Sequence, residues 1–111
     1  MKKVLPNSLP YPSLNEVNFL AFSEITEEYH NELYGYIELE NEMTNFRAGK
    51  ATVAYNKQRR DGSIVVENII LTDYIRHQIH HPENTNNTRY TFQQLSDSVN
   101  LMRSFIQTLT T

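Results

Sequence analysis

Ile64-Val65-Val66-Glu67-Asn68-Ile69-Ile70-Leu71-Thr72-Asp73-Tyr74-Ile75-Arg76-His77-Gln78-Ile79-His80-His81-Pro82 carries apolar residues and chemically versatile side chains in one unbroken run. Its periodicity predicts a helix from Ile64 to His80. Leu71, Ile75 and Ile79 repeat at i, i+4, while Asp73, Arg76, His77 and His80 fall on a second face. Ser63 or Thr72 would cap it, the latter dividing it into two pieces. Pro82 disfavours helical geometry at His81, so the helix is predicted to stop there. With this stretch helical, the chain is mainly α. The expected fold is a small antiparallel bundle of about four helices.

The flanks fit that reading. Residues 83–89 are polar and asparagine-rich, a loop. Thr91 and Gln94 then form a capping box, and Tyr90 with Leu95 a hydrophobic staple. Phe92, Leu95, Val99, Met102, Ile106 and Leu109 follow as the apolar stripe of a last helix. Upstream, Ser13 and Glu16 form another capping box. It opens a short helix to about Phe22, with Leu14, Val17 and Leu20 or Ala21 expected inward. A second helix is expected from near Ser23, with Ile25, Tyr29, Leu33, Tyr36 or Ile37, and Met43 at helical spacing. His30, between glutamates, reads as surface filler. Arg47 to Ser63 breaks the pattern. Alternation over Ala51–Tyr55 and the Asp61-Gly62 turn signal allow a short β-hairpin or an ordered loop within 47–63. Residues 1–12 hold three of the four prolines and read as an arm or linker before one domain, 13–111.

A chain of 111 residues can bury one core, and without cysteines it has neither disulfides nor thiolate metal sites. The first residues lack the apolar core of a secretory signal, and no apolar run reaches the length of a membrane span. The expected location is the cytoplasm. The net charge of −3 argues against nucleic-acid binding by bulk charge alone. Its distribution is uneven: seven glutamates and no Lys or Arg lie between Glu24 and Glu42, then five basic residues and no acid between Arg47 and Arg60. A solvated acidic helix face and a basic loop account for each by itself. The functional reading is that Lys57, Arg59 and Arg60 supply phosphate contacts beside the Arg/His stretch.

Three of the four histidines lie within five residues, directly after Arg76. One histidine near a helix C-terminus interacts well with the dipole and needs no further account. Three with an arginine would repel one another when charged. Their clustering therefore stabilises the fold little and points to a site. A metal site is one option, since His77 and His81 stand at i, i+4 with Asp73 or Glu83 within reach. Against it, Pro82 pulls His81 off the helix, and Arg76 is an unhelpful neighbour for a cation. Metal-independent RNA cleavage is the other. The 2′-OH is the nucleophile, histidines can serve as base and acid near neutral pH, and arginine binds phosphate oxygens with a planar fork.

Arg76-His77-Gln78-Ile79-His80-His81 resembles the motif of HEPN-domain ribonucleases, an arginine, a polar residue and a histidine four to six residues on. Arg76, His77 and His81 occupy those three places, and His80 falls just outside them. The resemblance implies an α-helical bundle and a metal-independent, cofactor-free endoribonuclease leaving 2′,3′-cyclic phosphate ends. It also implies a homodimer with both motifs in one cleft. Members act as toxins of toxin–antitoxin pairs or in antiviral defence, so an antitoxin or ATPase partner is implied. Residues 75–84, with Tyr90-Thr91 and the last helix, are also similar to C-terminal parts of some defence-associated ATPases. In the family's terms Arg76 would bind the scissile phosphate, His81 would be base or acid, and His77 would orient it or bind phosphate. His80 is a reserve candidate. Two other readings stay open: a catalytically silent dimerisation or docking module, and a His-cluster metal-binding regulatory protein. Pro82 after the distal histidine and the break at 47–63 depart from the family pattern.

Overall fold

The computed structural model describes Leu9 and residues 13–109. Its elements are α1 (Leu14–Phe22), α2 (Glu27–Leu39), α3 (Met43–Arg47), β1 (Thr52–Gln58), β2 (Ile64–Ile70), α4 (Leu71–His80) and α5 (Phe92–Leu109). The predicted arm, residues 1–12, lies outside the described residues except for Leu9, which is buried in the core.

The expected four-helix bundle is corrected to a mixed α/β fold, with five helices and a two-stranded antiparallel sheet among the described residues. The hairpin is not confined to 47–63. β1 pairs with β2 from Thr52↔Ile70 to Gln58↔Ile64, so the first seven residues of the predicted third helix are strand. Five of those seven, Ile64, Val65, Val66, Ile69 and Ile70, are β-branched, which suits a pleated surface better than a helix. The turn forms where the sequence signalled it. Gly62 takes a left-handed φ of 89°, and Asp61 Oδ1 accepts from the Ser63 N–H at 2.9 Å. Helix α4 begins directly at Leu71 with Ile70 as its N-cap, so neither Ser63 nor Thr72 caps it. It ends at His80 with His81 as C-cap, where Pro82 placed the boundary.

The helix ends follow local chemistry. Ser13 Oγ accepts from Glu16 N–H at 3.0 Å, and Thr91 Oγ1 accepts from Gln94 N–H at 3.1 Å, with Gln94 Oε1 accepting from Thr91 N–H in return. Ser23 does not start α2. Its φ of 54° closes α1, and Thr26 caps α2 instead, accepting from Tyr29 N–H at 3.0 Å. Asn41, also left-handed, ends the chain's second helical run before Met43, which belongs to α3.

The inward face of α1 is a second correction. Leu14 and Val17 are exposed, while Phe19 and Glu16 are buried. A polar network sets this orientation. Glu16 Oε2 accepts from Leu9 N–H at 2.7 Å, Oε1 accepts from the Tyr29 hydroxyl, and Arg103 Nε lies 3.7 Å away. Arg103 Nε also donates to Tyr29 at 3.0 Å, and its guanidinium covers the Phe19 ring. Around this network Leu33, Ile37, Phe46, Val99, Met102 and Ile106 form the main core between α2, α3 and α5. A smaller cluster of Ile75, Tyr90 and Leu95, flanked by Leu71 and Ile79, fixes α4 against the start of α5. Among the described residues no helix is long and apolar enough to cross a membrane.

His30 is not surface filler: it is fully buried. Its Nε2 lies 2.7 Å from Ser98 Oγ, which donates to Thr72 Oγ1 at 2.8 Å. That chain makes Nε2 the protonated nitrogen and leaves Nδ1 without a hydrogen-bond partner. A proton on Nδ1 would bring charge into the core. Burial, reinforced by the charge of Arg76 and opposed by Asp73, lowers the His30 pKa to about 4. The unfolded chain, with an ordinary histidine near 6.5, therefore binds more protons between those two values. Stability contributed by neutral His30 is present above about pH 6.5 and lost as pH falls toward 4, by on the order of 3 kcal/mol. Urea unfolding at pH 7 and pH 4.5 should show a smaller acid loss in His30→Gln than in the wild type. Equal losses in the two proteins would remove His30 as the cause.

Candidate functional site

The C-terminal half of α4 faces the hairpin. Because β2 runs into α4 without a linker, the strands fold back beside the helix and Tyr55 of β1 reaches it. The Tyr55 ring stacks on His77 with centroids 4.9 Å apart and planes 20° off parallel. His77 in turn stacks near His81, centroids 6.2 Å apart. Tyr74 meets the other side of Tyr55 edge-on at 5.9 Å. Tyr55 is itself buried, and Asn84 donates to its hydroxyl at 3.1 Å.

A cavity of about 620 Å³ opens beside this stack. Lys57, Arg59 and Arg60 line it from the hairpin, and His77, His81 and Glu83 from the end of α4. The three basic residues chosen from sequence and two of the three clustered histidines thus share one concave surface. Glu83 is the carboxylate on that wall. Its Oε2 lies 3.2 Å from His81 Nδ1, so it can hold an Nδ1–H and leave Nε2 available. Lys57 is 4.0 Å from Glu67 across the sheet, a long and exposed pairing that leaves its charge available.

The cavity wall opposite α4 is held by asparagines. Asn84 Nδ2 donates to Asn56 O at 2.9 Å, Asn87 Oδ1 accepts from Asn56 N–H at 2.7 Å, and Asn87 Nδ2 donates to Asn56 O at 3.0 Å. The loop 83–89 therefore binds the outer edge of β1 and fixes the hairpin relative to α4. Burial lowers the pKa of His77, and the charges of His81 and Lys57 push the same way against Asp73 and Glu67. At neutral pH His77 is an uncharged imidazole that can accept a proton.

Arg76 and His80 are placed elsewhere. The Arg76 guanidinium lies over the Tyr34 ring at 4.2 Å and 3.8 Å from Glu38, and Arg76 does not line the cavity. His80 is exposed and also outside it. The reason is angular. Arg76 and His80 form one i, i+4 row and His77 with His81 another, about 100° around the helix axis. Asp73 stays on the Arg76 side, where both meet Tyr34. It is buried and takes Arg47 Nε at 2.8 Å, Arg47 Nη2 at 3.1 Å and the Tyr34 hydroxyl at 2.6 Å. Burial, then the bond to Asp73, pushes the Tyr34 pKa up to about 12.

Tyr55, Asn84 and the pairing of Glu83 with His81 were not foreseen. Tyr55 carried a signal, being the aromatic residue at an inward position of the alternating segment. The role of Asn84 depends on where the hairpin lies and had none. Among the described residues no group of three or more His, Asp or Glu side chains is gathered to hold a metal ion, so the metal-binding reading gains no support. No family model, curated protein or solved structure matches the chain.

Proposed function

We propose that the cavity binds single-stranded RNA and cleaves it by attack of the 2′-OH. The observation that carries this reading is the meeting of His77 and His81, 6.2 Å apart, with Lys57, Arg59 and Arg60 on one concave surface. Two imidazoles at that spacing can reach two oxygens of a single phosphorus. Neutral His77 takes the 2′-OH proton as the O2′–P bond forms. His81, oriented by Glu83, gives a proton to the 5′-oxygen as the P–O5′ bond breaks. The products are a 2′,3′-cyclic phosphate and a free 5′-hydroxyl. Lys57, Arg59 and Arg60 supply the positive field for the phosphorane, the role the family resemblance gives to Arg76. The Tyr55–His77 stack offers an aromatic edge beside which an unpaired base can sit.

The test is incubation of the purified chain with a mixed RNA pool, scoring 2′,3′-cyclic ends with and without EDTA. Cyclic ends at equal yield in both support the reading. Intact RNA under all conditions sinks it. The placement of Arg76 on Tyr34 and Glu38 favours a second reading, a silent module that binds RNA or a protein partner without cleaving. Binding without cleavage is its signature.

The implied symmetric dimer belongs to the same proposal. Sedimentation equilibrium at micromolar concentration should give about twice the chain mass. A single-chain mass throughout that range counts against a shared cleft.

A further inference from the structure

A second cavity, about 410 Å³, opens on the other side of His77, which lines both. Arg47, Thr52, Asn68, Ile69 and Asp73 complete most of its wall. Arg47 is held in an unusual way for a structural ion pair. Its partner Asp73 is buried, with 8% of its side chain exposed, whereas the Arg47 side chain is 45% exposed. Nε and Nη2 are committed to Asp73 and Tyr34, and Nη1 takes no part in those bonds. The carboxylate already accepts three hydrogen bonds, from two arginine nitrogens and a tyrosine hydroxyl, and these fix the orientation of the guanidinium. A buried acid that aims an exposed guanidinium into a cavity suits recognition of an incoming anion, with the side-chain ordering done in advance.

We propose that this second cavity is a neighbouring nucleotide subsite, with Arg47 on a phosphate adjoining the one at His77 and His81. The inference rests on the RNA reading above and narrows its substrate. The ligand is a single strand of several nucleotides that passes His77, with contacts on both sides of the ring. Thr52 and Asn68 offer polar contacts to sugar or base, and Ile69 and the Tyr34 ring an apolar floor. A duplex does not suit the site, because its bases are stacked inside and cannot part around a side chain.

The experiment compares two probes by titration at one fixed salt concentration: a non-cleavable 2′-O-methyl hexanucleotide and a nucleoside 3′-monophosphate. Asn68→Glu is the main variant, because the position is exposed and a glutamate there adds a negative charge in the cavity of Arg47 without disturbing the core. Arg47→Lys is the second; it keeps the charge and loses the fork. Asn68→Glu should weaken the hexanucleotide roughly tenfold, and the monophosphate much less, because the added charge faces only the longer ligand. Arg47→Lys should move the ratio of the two affinities in the same direction. A ratio unchanged in both variants overturns the second subsite while leaving the RNA reading in place. Duplex RNA bound as tightly as the single strand also overturns it. A wild-type protein that binds neither probe and cleaves no RNA overturns the RNA reading itself, and the subsite with it.

Discussion

Replacing His81 by alanine should lower the rate of RNA cleavage by roughly 10²–10⁴ and leave the helices intact. The side chain is 54% exposed and sits just past the last turn of α4, so the core does not depend on it. His77→Ala should fall in the same range, with some loss of rigidity because Tyr55 stacks on that ring. The two variants differ in pH dependence. Burial depresses the His77 pKa, so the wild-type rate should rise with pH through a limb below the usual imidazole value of about 6.5, as the base loses its proton. His77→Ala should abolish that limb. Glu83→Gln tests positioning: it should retain a reduced rate and leave the His77 limb where it was. Arg76→Ala should cost less than about tenfold, because its guanidinium faces Tyr34 and Glu38. A hundredfold loss there, of the size seen when one charge-stabilising donor is removed, would put Arg76 back on the phosphate. Each variant is checked by circular dichroism, and cyclic ends are scored. Folded His77→Ala and His81→Ala proteins that cleave like the wild type would end the nuclease reading.

The largest stability effect is expected at Arg103. It is buried against Glu16, itself 1% exposed, with the Tyr29 hydroxyl between them. Arg103→Ala removes a buried cation from beside this carboxylate, and the loss should be roughly 3–5 kcal/mol. For a domain of this size that is a fall in Tm of about 15 °C or more. The burial that pushes the Tyr29 pKa upward, helped by Glu16, keeps that hydroxyl a proton donor and unable to replace the arginine. Adding Glu16→Gln to Arg103→Ala should recover part of the loss, since a neutral amide needs no counter-charge. Urea unfolding of the four proteins in the cycle measures the coupling. A single Arg103→Ala variant within about 1 kcal/mol of wild type would show that the pair is not what holds α1 in place.

The sequence declared its local boundaries better than its long-range ones. Thr91 with Gln94, Ser13 before α1, Pro82 after α4 and Asp61-Gly62 between the strands all act through neighbours a few residues away. Each appears where local chemistry placed it. Ile64–Ile70 misled because a stretch of seven residues with five apolar ones has no decisive period, and the helical row from Leu71 onward extended over it. The β-branched content of that stretch is the local mark of a strand. The inward face of α1 could not be read from periodicity, since a buried glutamate with distant partners decides it. At the site, His77, His81, Lys57, Arg59 and Arg60 were chosen as chemistry. Their meeting depends on the hairpin turning back along α4, a long-range fact. The same holds for the division between Arg76 and His77, which adjacency in sequence conceals.

The direct passage from Ile70 into Leu71 has a consequence for how such a chain can diverge. Strand and helix share one peptide bond, so the angular phase of α4 relative to the sheet is set by residue count alone. One residue inserted there would turn the helix by about 100°. It would carry His77 and His81 away from Tyr55 and bring the Arg76 row round toward the hairpin. Every side chain of the cleft would survive such an indel, and the cleft would not. Drift at this junction is therefore confined to substitutions.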